Sequence, residues 1–251
     1  MANAAANAAG DLMKISAKAC RLPRHPPRRE GVVNYPKFTM AEIPQSLETN
    51  SWYAEKLLVL AGCQESARLL RSVGLTPAKT FDDAPADVQT NSAHKMKHWM
   101  CRWALRNFGE FLWVDWDTVS LQRPDECFWD YCRQSNTPKF IKIPNYWATV
   151  NCGVYYCNAS WLGPLEESFS SRVKEPNDEL LWASVLPADV TSRENFWWKG
   201  RVVNVFAEQD AEAVEAHTYF AHVPDLSVAP KLRRVLQRKR AAIQGGLETE
   251  Q

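Results

Sequence analysis

The chain has 251 residues, 45% of them hydrophobic and 24% charged, a composition that suits one or two globular domains with a sizeable core. No apolar run approaches the roughly 18 residues of a membrane span, and the N-terminus lacks the basic-then-apolar order of a secretory signal, so the expected address is cytoplasmic. A formal net charge of +1 conceals two basic ends, 14–29 ("KISAKACRLPRHPPRR") and 231–240 ("KLRRVLQRKR"), around a balanced middle. The seven cysteines include no CxxC pair and no histidine-rich cluster, which argues against a disulfide framework and against a zinc site.

Residues 1–30 are rich in Ala and Asn and end in a Pro/Arg cluster, a composition that predicts a flexible basic arm. At 57 the pattern changes. "LLVLAGC" reads as a strand covered on both faces, and the following "QESARLLRSVG" as a helix closed by Gly74. "SAHKMKHWMCRWALRNFG" predicts a helix from Ser92 to Gly109 with Met96, Trp99, Met100 and Trp103 on its apolar face and Lys95, Lys97 and Arg102 elsewhere. "EFLWVDWD" follows as a second buried strand. Further strands are predicted in 139–143, 149–157 and 201–206, with a helix beginning near Asn177. This alternation predicts one α/β domain over 31–230 and a basic C-terminal tail over 231–251.

The chemistry concentrates in Asp115-Trp116-Asp117. Two carboxylates at the exit of a buried strand need a cation, a hydrogen-bond network or a path to water. In an extended segment Asp115 and Asp117 point one way and Trp116 the other, and paired carboxylate oxygens suit Mg2+ or Mn2+. Open α/β sheets put their ligands at such strand exits.

The order of blocks, a basic helix, Gly109, an apolar strand, Asp115-Trp116-Asp117, then "VNCGVYYCN", "PNDELLW", "VNVF" and "HTYFAH", resembles the GT-A glycosyltransferases over about residues 57–224. The resemblance implies a Rossmann-type mixed sheet flanked by helices. It also implies transfer of a sugar from a nucleotide-sugar donor, such as a UDP- or GDP-sugar, to an acceptor hydroxyl, helped by Mn2+ or Mg2+. Asp115 and Asp117 match the family's DxD motif, with Asp117 the more direct metal ligand, and His217 or His222 is the candidate third ligand. "LLVLAGCQ" is similar to the family's first strand, so Ala61, Gly62 and Cys63 are expected near the nucleotide, with Trp116 beside the donor and Lys95 at the diphosphate. Asn151 is expected on the donor sugar and Gly153 where sugar packs on bare backbone. Either Asp178 or Glu179 is the candidate catalytic carboxylate.

The family's glycine-rich phosphate loop is absent after the histidines, where "HVPDLSVAPKL" stands instead. A glycan is the expected acceptor. The basic ends leave open a modified DNA base as acceptor, a non-catalytic nucleic-acid-binding protein, and peripheral contact with an anionic membrane.

Overall fold

The computed structural model describes residues 14–17, 57–86, 88, 93–134, 138–141, 150–171, 178–186, 197, 200–224 and 228–248. Its centre is a six-stranded sheet. In chain order the strands are β1 (Lys14–Ala17), β2 (Leu57–Ala61), β3 (Lys79–Thr80), β4 (Glu110–Val114), β6 (Lys139–Ile141) and β7 (Asn151–Asn158), arranged β3-β2-β1-β4-β7-β6. The first four run parallel, whereas β7 lies antiparallel to both β4 and β6. A smaller sheet of β5 (Thr118–Ser120), β9 (Phe220–His222) and β8 (Val202–Asn204) adjoins it.

The helices are α1 (Gln64–Ser72), α2 (Ala93–Phe108), α3 (Glu126–Arg133), α4 (Leu162–Ser171), α5 (Asp178–Val185) and α6 (Ala229–Glu248). Gly74 and Gly109 follow α1 and α2 with φ of +82° and +76°, the left-handed geometry that ends a helix without a Cβ clash. Beneath α2 the core joins Met96, Met100, Ala104 and Leu105 to Phe111 and Trp113 of β4, Tyr155 of β7 and Trp182 of α5.

Three expectations are corrected. The basic arm over 1–30 contains β1, whose backbone is paired on both sides, Lys14 with Leu57 of β2 and with Leu112 of β4. Four residues gain a place at the sheet centre through main-chain bonds, which composition does not report. The rest of 1–30 lies outside the described residues. "LLVLA" is therefore the second strand, not the first. The expected tail over 231–251 is largely helix α6, with Ala229, Leu232, Leu236 and Arg233 buried against Val119, Leu121, Val205 and Ala221 or their surroundings. Its exposed Arg234 and Arg238 made the segment read as solvated charge.

Parallel pairing sends the carboxyl ends of β1 to β4 to one edge. The antiparallel register Val114 with Val154 brings the start of β7, Asn151 to Gly153, to that same edge.

Candidate active site

At the end of β4 the backbone does not continue as a strand. Thr118 N–H donates to the Asp115 carbonyl at 3.1 Å, closing a turn over Asp115–Thr118, while Asp115 N–H donates to the Gly153 carbonyl at 2.8 Å. The two carboxylates thus converge because the chain turns, not because a pleat alternates, as the sequence suggested. Trp116 goes to the core: it is 3% exposed and packs with Val59, Ala61, Ala67 and Leu70. Its position offers no face to a donor and instead anchors the turn on β2 and α1. From α6 the buried Arg233 donates to the Trp116 carbonyl at 3.4 Å.

The third partner arrives from β9. Thr118 pairs with His222, and Val223 N–H donates to the Asp117 carbonyl at 2.9 Å, so the small sheet fixes His222 beside the turn. Ligand atoms of Asp115, Asp117 and His222 all lie within 4.8 Å of one another, a set that could hold a metal ion. His222 Nε2 is 3.4 Å from Asp117 Oδ1. On the ring's other side Nδ1 lies 2.7 Å from Asn204 Oδ1. Two carboxylates and an imidazole are a donor set that fits Mn2+ or Mg2+. His217 is not part of it. It lies 3.1 Å from Glu215 and is 38% exposed, as expected of a residue in a turn before β9.

Lys97, placed away from the site by sequence, is its central cation. Nζ donates to Asp115 Oδ1 and Oδ2 at 3.1 and 3.0 Å and to the Cys152 carbonyl, and it pairs with Asp178 Oδ2 at 3.2 Å. It also sits 5.2 Å from the Trp113 ring centroid. Burial alone would push the ammonium pKa down, but Asp115 and Asp178 reverse that and raise it, so Lys97 is charged. Burial and the nearby Asp117 raise the Asp115 pKa, which Lys97 opposes. Trp113 Nε1 donates to Asp115 Oδ1 at 2.7 Å and fixes the carboxylate. Lys95, the expected diphosphate contact, is buried two residues earlier on α2, and it is Lys97 that pairs with Asp115 and Asp178.

Asp178 and Glu179 begin α5, where a helix N-terminus favours negative charge. Asp178 is held by Lys97, whereas Glu179 Oε1 accepts from Asn151 Nδ2 at 2.9 Å. Asn151 Oδ1 in turn accepts from Gly153 N–H at 2.9 Å. The bare backbone of Gly153 faces the His222 ring. A Cβ there would lie 2.3 Å from His222 Cε1 and Nε2, so the glycine makes room for the imidazole.

Ala61 and Gly62 are buried at the end of β2, and Cys63 begins α1 with its Sγ 3.3 Å from Ser66 Oγ. They share the sheet edge with the aspartates but are separated from β4 by β1.

No family model and no curated protein matches this chain. Among solved structures it is similar to a glycosyltransferase involved in glycosylation of the major capsid of PBCV-1, at 14% identity and a TM-score of 0.51, over 89% of this chain and 99% of that one. The chain has the GT-A glycosyltransferase fold. The galactosyltransferase LgtC (TM-score 0.46, 11% identity, 79% of this chain and 91% of that chain) and mouse xyloside xylosyltransferase 1 (0.45, 10%, 84% and 96%) were also found. Among the described residues no helix is long and apolar enough to cross a membrane.

Proposed function

We propose that this GT-A protein is a metal-dependent glycosyltransferase that moves a sugar from a nucleoside-diphosphate donor to a hydroxyl of a glycan. The observation that carries the reading is the convergence of Asp115, Asp117 and His222 at the carboxyl edge of the parallel strands, beside the acid and base groups of α2 and α5. A Mn2+ or Mg2+ ion there would offset charge developing on the departing diphosphate. Asp115, Asp117 and His222 would hold it.

Lys97 pairs with Asp115 and Asp178 and fixes both side chains, and so presents a preset arrangement of charge to a polar donor without reorganisation. Of the two candidate carboxylates, Glu179 is the better catalyst. Asp178 is ion-paired with the Lys97 ammonium, while Glu179 Oε1 accepts from the uncharged Asn151 amide. Asn151 orients Glu179 in this reading.

Thermal unfolding of wild type and Asp117→Asn against a panel of sugar nucleotides, with and without Mn2+, tests the proposal. At a hundredfold excess over Kd a true donor adds about 2.7 kcal/mol of stability. A shift with one donor that needs Mn2+ and disappears in the variant is the expected result. No shift with any donor would remove the assignment.

A further inference from the structure

We infer that Asn204 is a positioning residue of this site, fixing the His222 proton on Nδ1 so that the Nε2 lone pair faces Asp115 and Asp117. The inference rests on the metal-site reading above and concerns a residue on a different strand from any ligand.

The His222 ring has little freedom. It is 3% exposed, and it fills the notch over Gly153 where a Cβ would lie 2.3 Å from the ring. Its backbone is fixed as well. Asn204 and His222 are register partners in the parallel pairing of β8 with β9, and Val205 N–H donates to the His222 carbonyl at 2.8 Å. The ring therefore meets the Asn204 amide at one edge and Asp117 at the other, 2.7 Å from Oδ1 of the first and 3.4 Å from Oδ1 of the second.

A neutral imidazole carries one proton on one of two nitrogens. With Asn204 Oδ1 against Nδ1 the proton must sit on Nδ1. With the amide reversed, an N–H would face Nδ1 and drive the proton to Nε2, between the ring and Asp117, where it blocks coordination. The observed orientation has a cost: Asn204 Nδ2 is buried with no hydrogen-bond partner among the described residues. The amide oxygen is kept toward the ring although its nitrogen is left unsatisfied, which is the orientation a metal-binding histidine requires. An acceptor on the far nitrogen of a ligating histidine sets its tautomer and raises its basicity, and losing one typically weakens metal affinity about 10- to 100-fold.

The test has two readouts that do not depend on turnover. In metal-free wild type, 15N chemical shifts of the His222 ring should show a protonated Nδ1 and an unprotonated Nε2. Free Mn2+ counted by EPR, with Mn2+ alone as the probe, should show about 10- to 100-fold weaker binding by Asn204→Leu. Asn204→Asp, which restores an acceptor, should keep the tautomer and bind Mn2+ at least as tightly as wild type. A wild-type ring protonated on Nε2 overturns the inference, as does a folded Asn204→Leu that binds Mn2+ like wild type; in either case Mn2+ binding by wild type would leave the metal site standing. If Asn204→Leu does not fold, the wild-type tautomer and Asn204→Asp decide. Absence of Mn2+ binding by wild type overturns both readings.

Discussion

The imidazole of His222 occupies the space that a side chain on Gly153 would need. A strand residue of β7 and a strand residue of β9 are in this way fitted to one another, across two sheets, at the one point where both carboxylates are within reach.

Gly153→Ala should consequently displace the ring and damage the site more than the fold. Overpacking of this kind costs about 1–3 kcal/mol. Urea unfolding should report a loss of that order, and Mn2+ affinity should fall with it. Gly163→Ala in α4, where a Cβ meets nothing within 4 Å, should leave both measurements unharmed. Equal effects of the two substitutions would contradict the fit.

Lys97→Met should be among the most destabilising single changes in the protein. It leaves Asp178, 5% exposed at its side chain, and Asp115, 28% exposed, without their shared cation. Removing one partner of a buried pair costs about 3–5 kcal/mol, and the part of Asp115 in contact with water puts this case toward the lower end. Adding Asp178→Asn should recover part of the loss, measured as a coupling energy in a double-mutant cycle. Additive losses would show that the pair does not interact.

His98 should make stability depend on pH below neutrality. Burial on α2 pushes its pKa down from 6.5 to about 4, although the Leu165 carbonyl, 3.4 Å from Nε2, works the other way. The unfolded chain takes up this proton near pH 6.5 and the folded chain resists it. The contribution is complete above 6.5 and is lost as pH falls from 6.5 to about 4, by up to roughly 3 kcal/mol. The stability difference between wild type and His98→Gln, from denaturant melts at several pH values, should therefore shift in favour of the variant as pH falls through this window. A difference that does not vary with pH would rule this out.

If α6 is an integral helix, substitutions on its two faces should differ sharply. Leu236 is fully buried, so Leu236→Ala should cost about 2–5 kcal/mol. Arg234→Gln and Arg238→Gln, on exposed positions, should each stay within about 0.5 kcal/mol. Thermal melts of the three variants separate a packed helix from a solvated tail, for which all would be near neutral.

Much of the α/β alternation was legible because buried strands and capped helices leave strong local signals. "FLWV" within β4 and "LLVLA" are continuous apolar runs, and Gly74 and Gly109 mark helix ends by a conformation that suits glycine. The position of β1 was not legible, since its place depends on main-chain pairing with two strands remote in sequence. Lys97 was misplaced for another reason. Lys95, Met96, Lys97 and His98 are all buried, so this stretch of α2 has no solvent face and helical periodicity cannot rank its side chains. The available signal was the presence of two lysines in a helix too apolar around them to be wholly solvated. His222 was separable from His217 only once β9 was seen paired with β5. Trp116 was read by its neighbours in sequence, and its neighbours in space are the apolar side chains of β2 and α1.

The pairing of Thr118 with His222 joins segments on the order of a hundred residues apart. A growing polypeptide therefore presents its aspartates long before their imidazole partner has been synthesised. Under the proposed metal-site reading, ion capture by the complete trio would report the final steps of maturation, and a protein truncated before β9 would retain much of the larger sheet's sequence without binding Mn2+.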